Sequence, residues 1–209
     1  MAEWLSGRNR RCGDVLTVGS AVNVAARVLR RASSVSRNLP DRLLHGRRHL
    51  AAQQLLVRRP RPQRILVVCH GNICRSPYLQ AVLQRALPEV AIMSAGFFGS
   101  GRPVPEFSVA LAAKRGLDLS SYRSRPLTGS LVRSADLIIV MDSFQARDIA
   151  RAFPVDRARI VIAGDLDPRF EGGRGITDPW NLPQEVFGAA FARLDRCAAT
   201  LVGVLEHQG

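Results

Sequence analysis

Four apolar residues, Ile65-Leu66-Val67-Val68, run directly into Cys69-His70-Gly71-Asn72-Ile73-Cys74-Arg75-Ser76-Pro77, and a helix-like pattern starts at Tyr78. A short apolar run bounded by turn residues reads as a buried strand, which leaves only a tight loop before the helix. Such a turn gathers backbone N–H groups at one point and adds the positive end of the helix dipole, so it is an anion cradle. Arg75 supplies a fork suited to two oxygens of a phosphate. The same surroundings favour a thiolate, so Cys69 is expected as a nucleophile. His70, Gly71, Asn72, Ile73, Cys74, Arg75 and Ser76 are then the phosphate-binding segment, with His70 near its mouth. A cysteine ending a strand is also a common inert core residue, and that reading stands beside the first.

From Ile65 onward apolar runs alternate with helical periodicity. Strands are predicted at Ile65–Val68, Val90–Met93, Leu137–Val140 and Ile160–Ala163. Helices are predicted at Tyr78–Leu87, Glu106–Arg115, Ser143–Ala152 and Gln184–Glu206. Ser76 is the expected N-cap of the first of these, with Pro77 at its first helical position. Leu137–Val140 is apolar on both faces, as a central parallel strand would be. The pattern predicts an α/β fold, a four-stranded parallel sheet with helices on both faces. Ligands in such folds sit outside the carboxyl ends of the strands, where the Cys69 loop falls. The long segment Gly164–Pro183 opens at the same edge and holds Asp165, Asp167 and Asp178. A phosphate monoester needs a proton for its leaving oxygen, and Asp178 in Thr177-Asp178-Pro179-Trp180 is the candidate donor. Asp165 and Asp167 are its rivals, and an aspartate that merely marks a turn is the plain alternative.

The run Val68–Pro77, VCHGNICRSP, resembles the signature loop of the low-molecular-weight protein tyrosine phosphatases, and the resemblance extends from about Ile65 to the C-terminus. It implies a flavodoxin-like fold of the phosphotyrosine phosphatase I type. It also implies hydrolysis of phosphotyrosine through a phosphocysteine on Cys69, with Arg75 clamping the phosphate. The family's catalytic acid lies on a matching Asp-Pro pair, which selects Asp178. Asn72, Ser76 and Ser94 match supporting positions: Ser76 donates to the sulfur and Ser94 buttresses Asn72. Where Tyr122 stands, the family often has a histidine that hydrogen-bonds the loop serine. Ile73 narrows the pocket and, with Trp180, favours a flat phenyl ring. Cys74 is a candidate redox partner able to capture an oxidised Cys69 as a disulfide, or else a small packing residue.

Three other readings use the same loop. Phosphoarginine phosphatases resemble it but carry threonine where Ile73 stands. Thiol-coupled arsenate reductases need two further cysteines, and none lies between Cys74 and Cys197. An inactive phosphate-binding module would have no use for Cys69, Arg75 and Asp178 together. The resemblance implies a phosphotyrosine protein as partner, such as the tail of a bacterial tyrosine kinase in capsule or exopolysaccharide export, and inorganic phosphate as product inhibitor.

Charge divides the chain. Residues 1–64 hold 14 arginines against three acidic residues, a net of +11 out of the total of +13. Residues 1–63 are therefore expected to be a basic, Arg-rich N-terminal extension, disordered or partly helical, with 64–209 as the phosphatase domain. Weak helical patterns fall at Ala21–Ala32 and Leu50–Val57. Only Lys114 stands beside 29 arginines, a bias that reads as coding composition, so no specific nucleic-acid partner is expected. The four cysteines, at 12, 69, 74 and 197, have neither zinc spacing nor a secreted disulfide pattern. The expectation is a metal-free enzyme without cofactor in a reducing cytoplasm. No apolar run reaches 18 residues, so no transmembrane segment is expected.

Overall fold

The strand that carries Cys69, β1 (Arg64–Cys69), lies inside the sheet with parallel neighbours on both sides. These are β2 (Ala91–Gly96) and β3 (Leu137–Val140), and β4 (Ile160–Ile162) adds to the far side of β3, giving the order β2-β1-β3-β4. Side chains alternate across a strand, and here both alternations are apolar. Ile65, Val67 and Cys69 join one core cluster, and Leu66 and Val68 join the other. A computed structural model describes residues 39–208; the helical pattern expected at 21–32 lies outside them.

The helices cover both faces. On the Val67 side lie α2 (Arg75–Ala86), α3 (Glu106–Ala113) and α6 (Gln184–Glu206). On the Leu66 side, Val132 of α4 (Gly129–Ser134) and Ile149 of α5 (Ser143–Ala152) pack on Val68 and Val140. Tyr78 and Phe191, both fully buried, stack with centroids 3.8 Å apart and lock α2 to α6. Truncating such an aromatic to alanine typically costs about 3–5 kcal/mol. α4 lies directly after the polar connection and was not expected; it has six residues, and its signal is Thr128, whose side chain accepts the Leu131 N–H at 3.3 Å.

The first helix also starts earlier than expected. Cys74 is the N-cap of α2 and makes no side-chain cap bond, while Ser76 lies inside the first turn. Its hydroxyl is committed to Cys69 instead. Residues 39–57 are helical and are named α1. The compact unit begins at Pro40, so residues 40–63, read from sequence as part of the arm, belong to it. Ala52 and Leu56 enter the main core, and the Gln208 amide donates to the Leu56 carbonyl at 2.6 Å. Among the described residues no helix is long and apolar enough to cross a membrane.

The sheet order fixes where a ligand can sit. The chain leaves β1 for β2 on one side and returns to β3 on the other, so the connections diverge at the β1/β3 boundary and open a crevice at the carboxyl ends. Cys69 ends β1 at that boundary, and Met141 follows β3.

Candidate active site

Cys69 pairs in register with Gly96, at the end of β2. A Cβ at Gly96 would come within 2.8–2.9 Å of the Asn72 nitrogen, the Asn72 Cβ and the His70 carbonyl oxygen, so only glycine lets the loop fold over this strand end. The turn itself is made at Asn72, which has φ 51, a left-handed conformation that Asn tolerates better than most residues.

Asn72 is fully buried and all its side-chain bonding is local to the site. Its Nδ2 donates to Ser76 Oγ at 2.8 Å and to Ser94 Oγ at 3.0 Å. Its Oδ1 accepts from Tyr122 Oη and from the Arg125 N–H, each at 2.8 Å. Two donors then converge on the sulfur: Ser76 Oγ at 3.0 Å and the Asn72 N–H at 3.3 Å from Cys69 Sγ. Tyr122 thus reaches the loop through Asn72 rather than through the loop serine Ser76, and it lies 2.7 Å from Ser94 Oγ as well. Ser94 in turn reaches Gln80 Oε1 at 2.6 Å. Sequence gave no signal for Gln80 or for the Arg125 backbone.

The loop N–H groups of Gly71, Ile73 and Cys74 donate to no acceptor among the described residues, which is the condition an oxyanion cradle requires. Arg75 is buried beside them. Its Nη1 donates to the Ile176 carbonyl at 2.9 Å and its Nη2 to Asp178 Oδ2. Arg75 Nε is buried without a hydrogen-bond partner, a donor free to meet a phosphate oxygen. Asp178 is exposed, and its Oδ1 accepts the Trp180 N–H at 3.2 Å.

The loop opens on a cavity of about 180 Å³ lined by Cys69, Ile73, Phe98, Arg102, Asp178 and Trp180, with His70, Gly71 and Cys74 completing it, while Arg75 borders an adjoining one that it shares with His70 and Asp178. Cys69, among the residues lining the first, is 2 % exposed. His70 is exposed and lies against Phe98, centroids 4.5 Å apart. Arg102 fixes the outer rim by donating to the Gly71 carbonyl at 2.8 Å. Sequence reading missed Arg102, one arginine among 29, and Phe98.

The rival aspartates are elsewhere. Asp165 is bound twice by Arg174, Nε to Oδ1 at 2.8 Å and Nη2 to Oδ2 at 2.7 Å. Asp167 is fully buried between Arg193, at 3.0 Å, and Arg196, at 2.8 and 2.9 Å. Burial pushes the Asp167 carboxyl up, but the Arg196 and Arg169 hydrogen bonds and both arginine charges hold it below the usual carboxylate range. Neither lines the Cys69 cavity. Cys74 packs with Ile73 and Phe187, and burial, helped by Cys69 and Asp178, pushes its thiol up to about 12. Among the described residues no cluster of His, Cys, Asp or Glu would hold a metal ion.

The assembly brings together a sulfur, a ring of unused amides, an arginine with a spare donor and a carboxyl at the rim, which is the set needed for phosphoryl transfer to a thiol. Comparison with known proteins agrees. Residues 64–209 match the family model for low molecular weight phosphotyrosine protein phosphatases. A probable low molecular weight protein-tyrosine-phosphatase, EpsP of Ralstonia solanacearum, is 42% identical over 133 residues, covering 63% of this chain and 88% of that protein. The crystal structure of the Erwinia amylovora tyrosine phosphatase AmsI superimposes with a TM-score of 0.63 at 32% identity, covering 68% of this chain and 92% of the other. The YwlE arginine phosphatase from Geobacillus stearothermophilus gives 0.64 at 30% identity, covering 70% and 95%. With the cradle, the sheet order and these matches in agreement, the chain belongs to the low molecular weight phosphotyrosine protein phosphatase family.

Proposed function

We propose that the chain hydrolyses phosphotyrosine in proteins through a phosphocysteine, with Cys69 as nucleophile, Arg75 and the loop amides as phosphate clamp and Asp178 as general acid. The Cys69 sulfur attacks phosphorus, the bond from phosphorus to the phenolic oxygen breaks, and that oxygen takes the Asp178 proton. Water then attacks the phosphocysteine, gives a proton to the Asp178 carboxylate, and releases phosphate and the thiolate. The Ser76 hydroxyl, 3.0 Å from the sulfur, eases that departure.

The observation that carries this reading is the depth of the sulfur. Cys69, 2 % exposed, lines a cavity together with Ile73, Phe98 and Trp180. A phosphate on a phenyl ring reaches that depth with its ring against apolar walls, whereas the short side chain of phosphoserine does not. Ile73 offers a guanidinium no polar partner, which favours phosphotyrosine over phosphoarginine despite the likeness to an arginine phosphatase. A free thiol nucleophile works only where it stays reduced, so the cytoplasm is the fitting compartment. The family resemblance suggests the tail of a bacterial tyrosine kinase as substrate, in exopolysaccharide export, and phosphate as product inhibitor.

The test uses purified full-length chain with phosphotyrosine, phosphoserine and phosphoarginine peptides and with arsenate. Cys69→Ser is expected to abolish aryl phosphate hydrolysis while keeping vanadate affinity. Asp178→Asn is expected to lower kcat/KM by about 10²–10⁴ on poor leaving groups and far less on 4-nitrophenyl phosphate. Activity of Cys69→Ser equal to wild type, or a preference for phosphoarginine, refutes the reading.

A further inference from the structure

We propose that α1, the helix ahead of the family domain, is a positioning element for the acid loop, and that His49 carries its grip. The inference rests on Asp178 being the general acid. The family match begins at residue 64, beyond the end of α1 at 57. The helix nonetheless touches the loop leading to Asp178 at three places. His49 Nδ1 donates to the Asp165 carbonyl at 3.0 Å, and His49 Nε2 accepts the Gln53 amide at 2.8 Å. Two such partners fix one tautomer, with the ring proton facing the loop. His45 meets Phe170 edge to face, centroids 5.6 Å apart. Asp41 accepts the Arg174 N–H at 3.4 Å and is itself held by Arg48 at 2.6 Å.

Two of these contacts fall where the loop closes on itself. Asp165 and Arg174 are joined by their paired side-chain bonds. Gly164 lies so near Arg174 that a Cβ would stand 1.9 Å from the Arg174 carbonyl oxygen. Only Gly175, Ile176 and Thr177 separate Arg174 from Asp178. Ile176, in the middle of that segment, is held in turn: its N–H donates to the Met141 carbonyl at 2.8 Å, and its carbonyl accepts from Arg75 at 2.9 Å. A displacement of Arg174 therefore bears on the Ile176 bonds, and through them on Arg75, which also holds the Asp178 carboxylate. Proton transfer needs heavy atoms about 2.6–3.2 Å apart, and a misplacement of about 1 Å costs up to 10²-fold.

A positioning role differs measurably from mere stabilisation. Losing folded enzyme lowers the rate on every substrate alike. Misplacing the acid lowers it in proportion to how much the leaving oxygen needs its proton.

The experiment measures kcat/KM of the full-length chain on aryl phosphates from 4-nitrophenyl to unsubstituted phenyl phosphate, for wild type, His49→Ala and His45→Ala/His49→Ala. The expected result is a loss of about tenfold on phenyl phosphate, under about twofold on 4-nitrophenyl phosphate, and an unchanged inhibition constant for vanadate, which also reports an intact site. His49→Asn, whose amide nitrogen stands near the position of Nδ1, is expected to restore the rate on phenyl phosphate. Equal losses on all substrates, or none, overturn the proposal. Asp178→Asn in the same series separates the two ideas. If it shows the leaving-group dependence and the histidine variants do not, the role of α1 fails alone; if Asp178→Asn lacks it, the acid assignment fails and the proposal with it.

Discussion

Replacing Tyr122 by phenylalanine removes one oxygen from the support of the nucleophile and little else. The ring stays packed against the main core. What is lost is a hydroxyl 2.8 Å from Asn72 Oδ1 and 2.7 Å from Ser94 Oγ. Neither partner is left without a bond: Oδ1 keeps the Arg125 N–H at 2.8 Å, and Ser94 keeps Asn72 at 3.0 Å and Gln80 at 2.6 Å. The cost is therefore the net value of a hydrogen bond, about 0.5–1.5 kcal/mol, rather than the larger penalty of an orphaned buried group. For a domain of this size about 1 kcal/mol lowers Tm by roughly 2–4 °C. Asn72 and Ser76 both donate to the Cys69 sulfur, so the same loss felt in the transition state is about fivefold in kcat/KM. Burial pushes the Tyr122 phenol above its ordinary value, outweighing the hydrogen bonds to Ser94 and Asn72 that lower it, so it stays a neutral donor across the assay range. Thermal unfolding and steady-state hydrolysis of an aryl phosphate, on wild type, Tyr122→Phe and Tyr122→His, check both figures. If Tyr122→Phe matches wild type in both, the network does not hold the loop; a loss beyond about 10²-fold gives Tyr122 a direct role that this reasoning denies it.

Asp167→Asn leaves the buried Arg193, and the partly exposed Arg196, around a neutral group, with an expected loss of about 3–5 kcal/mol in urea unfolding at neutral pH. The folded Asp167 titrates below its unfolded value of about 3.9, so its stabilisation is present above that pH and lost as pH falls through the folded value. The variant should accordingly show a flatter acid limb, and an unchanged urea midpoint would refute the pairing. Cys74, buried and with its thiol pushed up to about 12, is expected to resist iodoacetamide at neutral pH while Cys69 reacts and phosphate protects it. Equal labelling of the two by mass spectrometry would sink that expectation.

What the sequence made legible was whatever a short window encodes. The run Ile65–Val68 had to be a buried strand, and the glycine and asparagine after it had to be a turn, so the position of Cys69 followed. The helices Ser143–Ala152 and Gln184–Glu206 have the bounds their periodicity predicts. Contacts across distance were less legible. Pro77 advertises a helix start, but the helix begins at Arg75 because the loop presents its N–H groups inward there, and Ser76 is drawn to the sulfur. Of α1 only the weak pattern at Leu50–Val57 was legible, because the helix buries little beyond Ala52 and Leu56, and its anchoring depends on His49 and Asp41 finding partners more than a hundred residues away. That Tyr122 meets Asn72 rather than the loop serine depended on where its hydroxyl lands, which no spacing rule states.

The nucleophile and the acid are held by different kinds of bonding. Cys69 ends an interior strand, so moving its backbone means parting the sheet from β2 on one side and β3 on the other. Asp178 hangs from a loop secured mainly by side chains on α1, α2 and α6. Local opening draws on the weakest cooperative unit first. On the proposed roles, mild heat or denaturant is expected to put proton delivery out of line while the anion pocket still stands, so that the chain loses turnover before it loses phosphate binding.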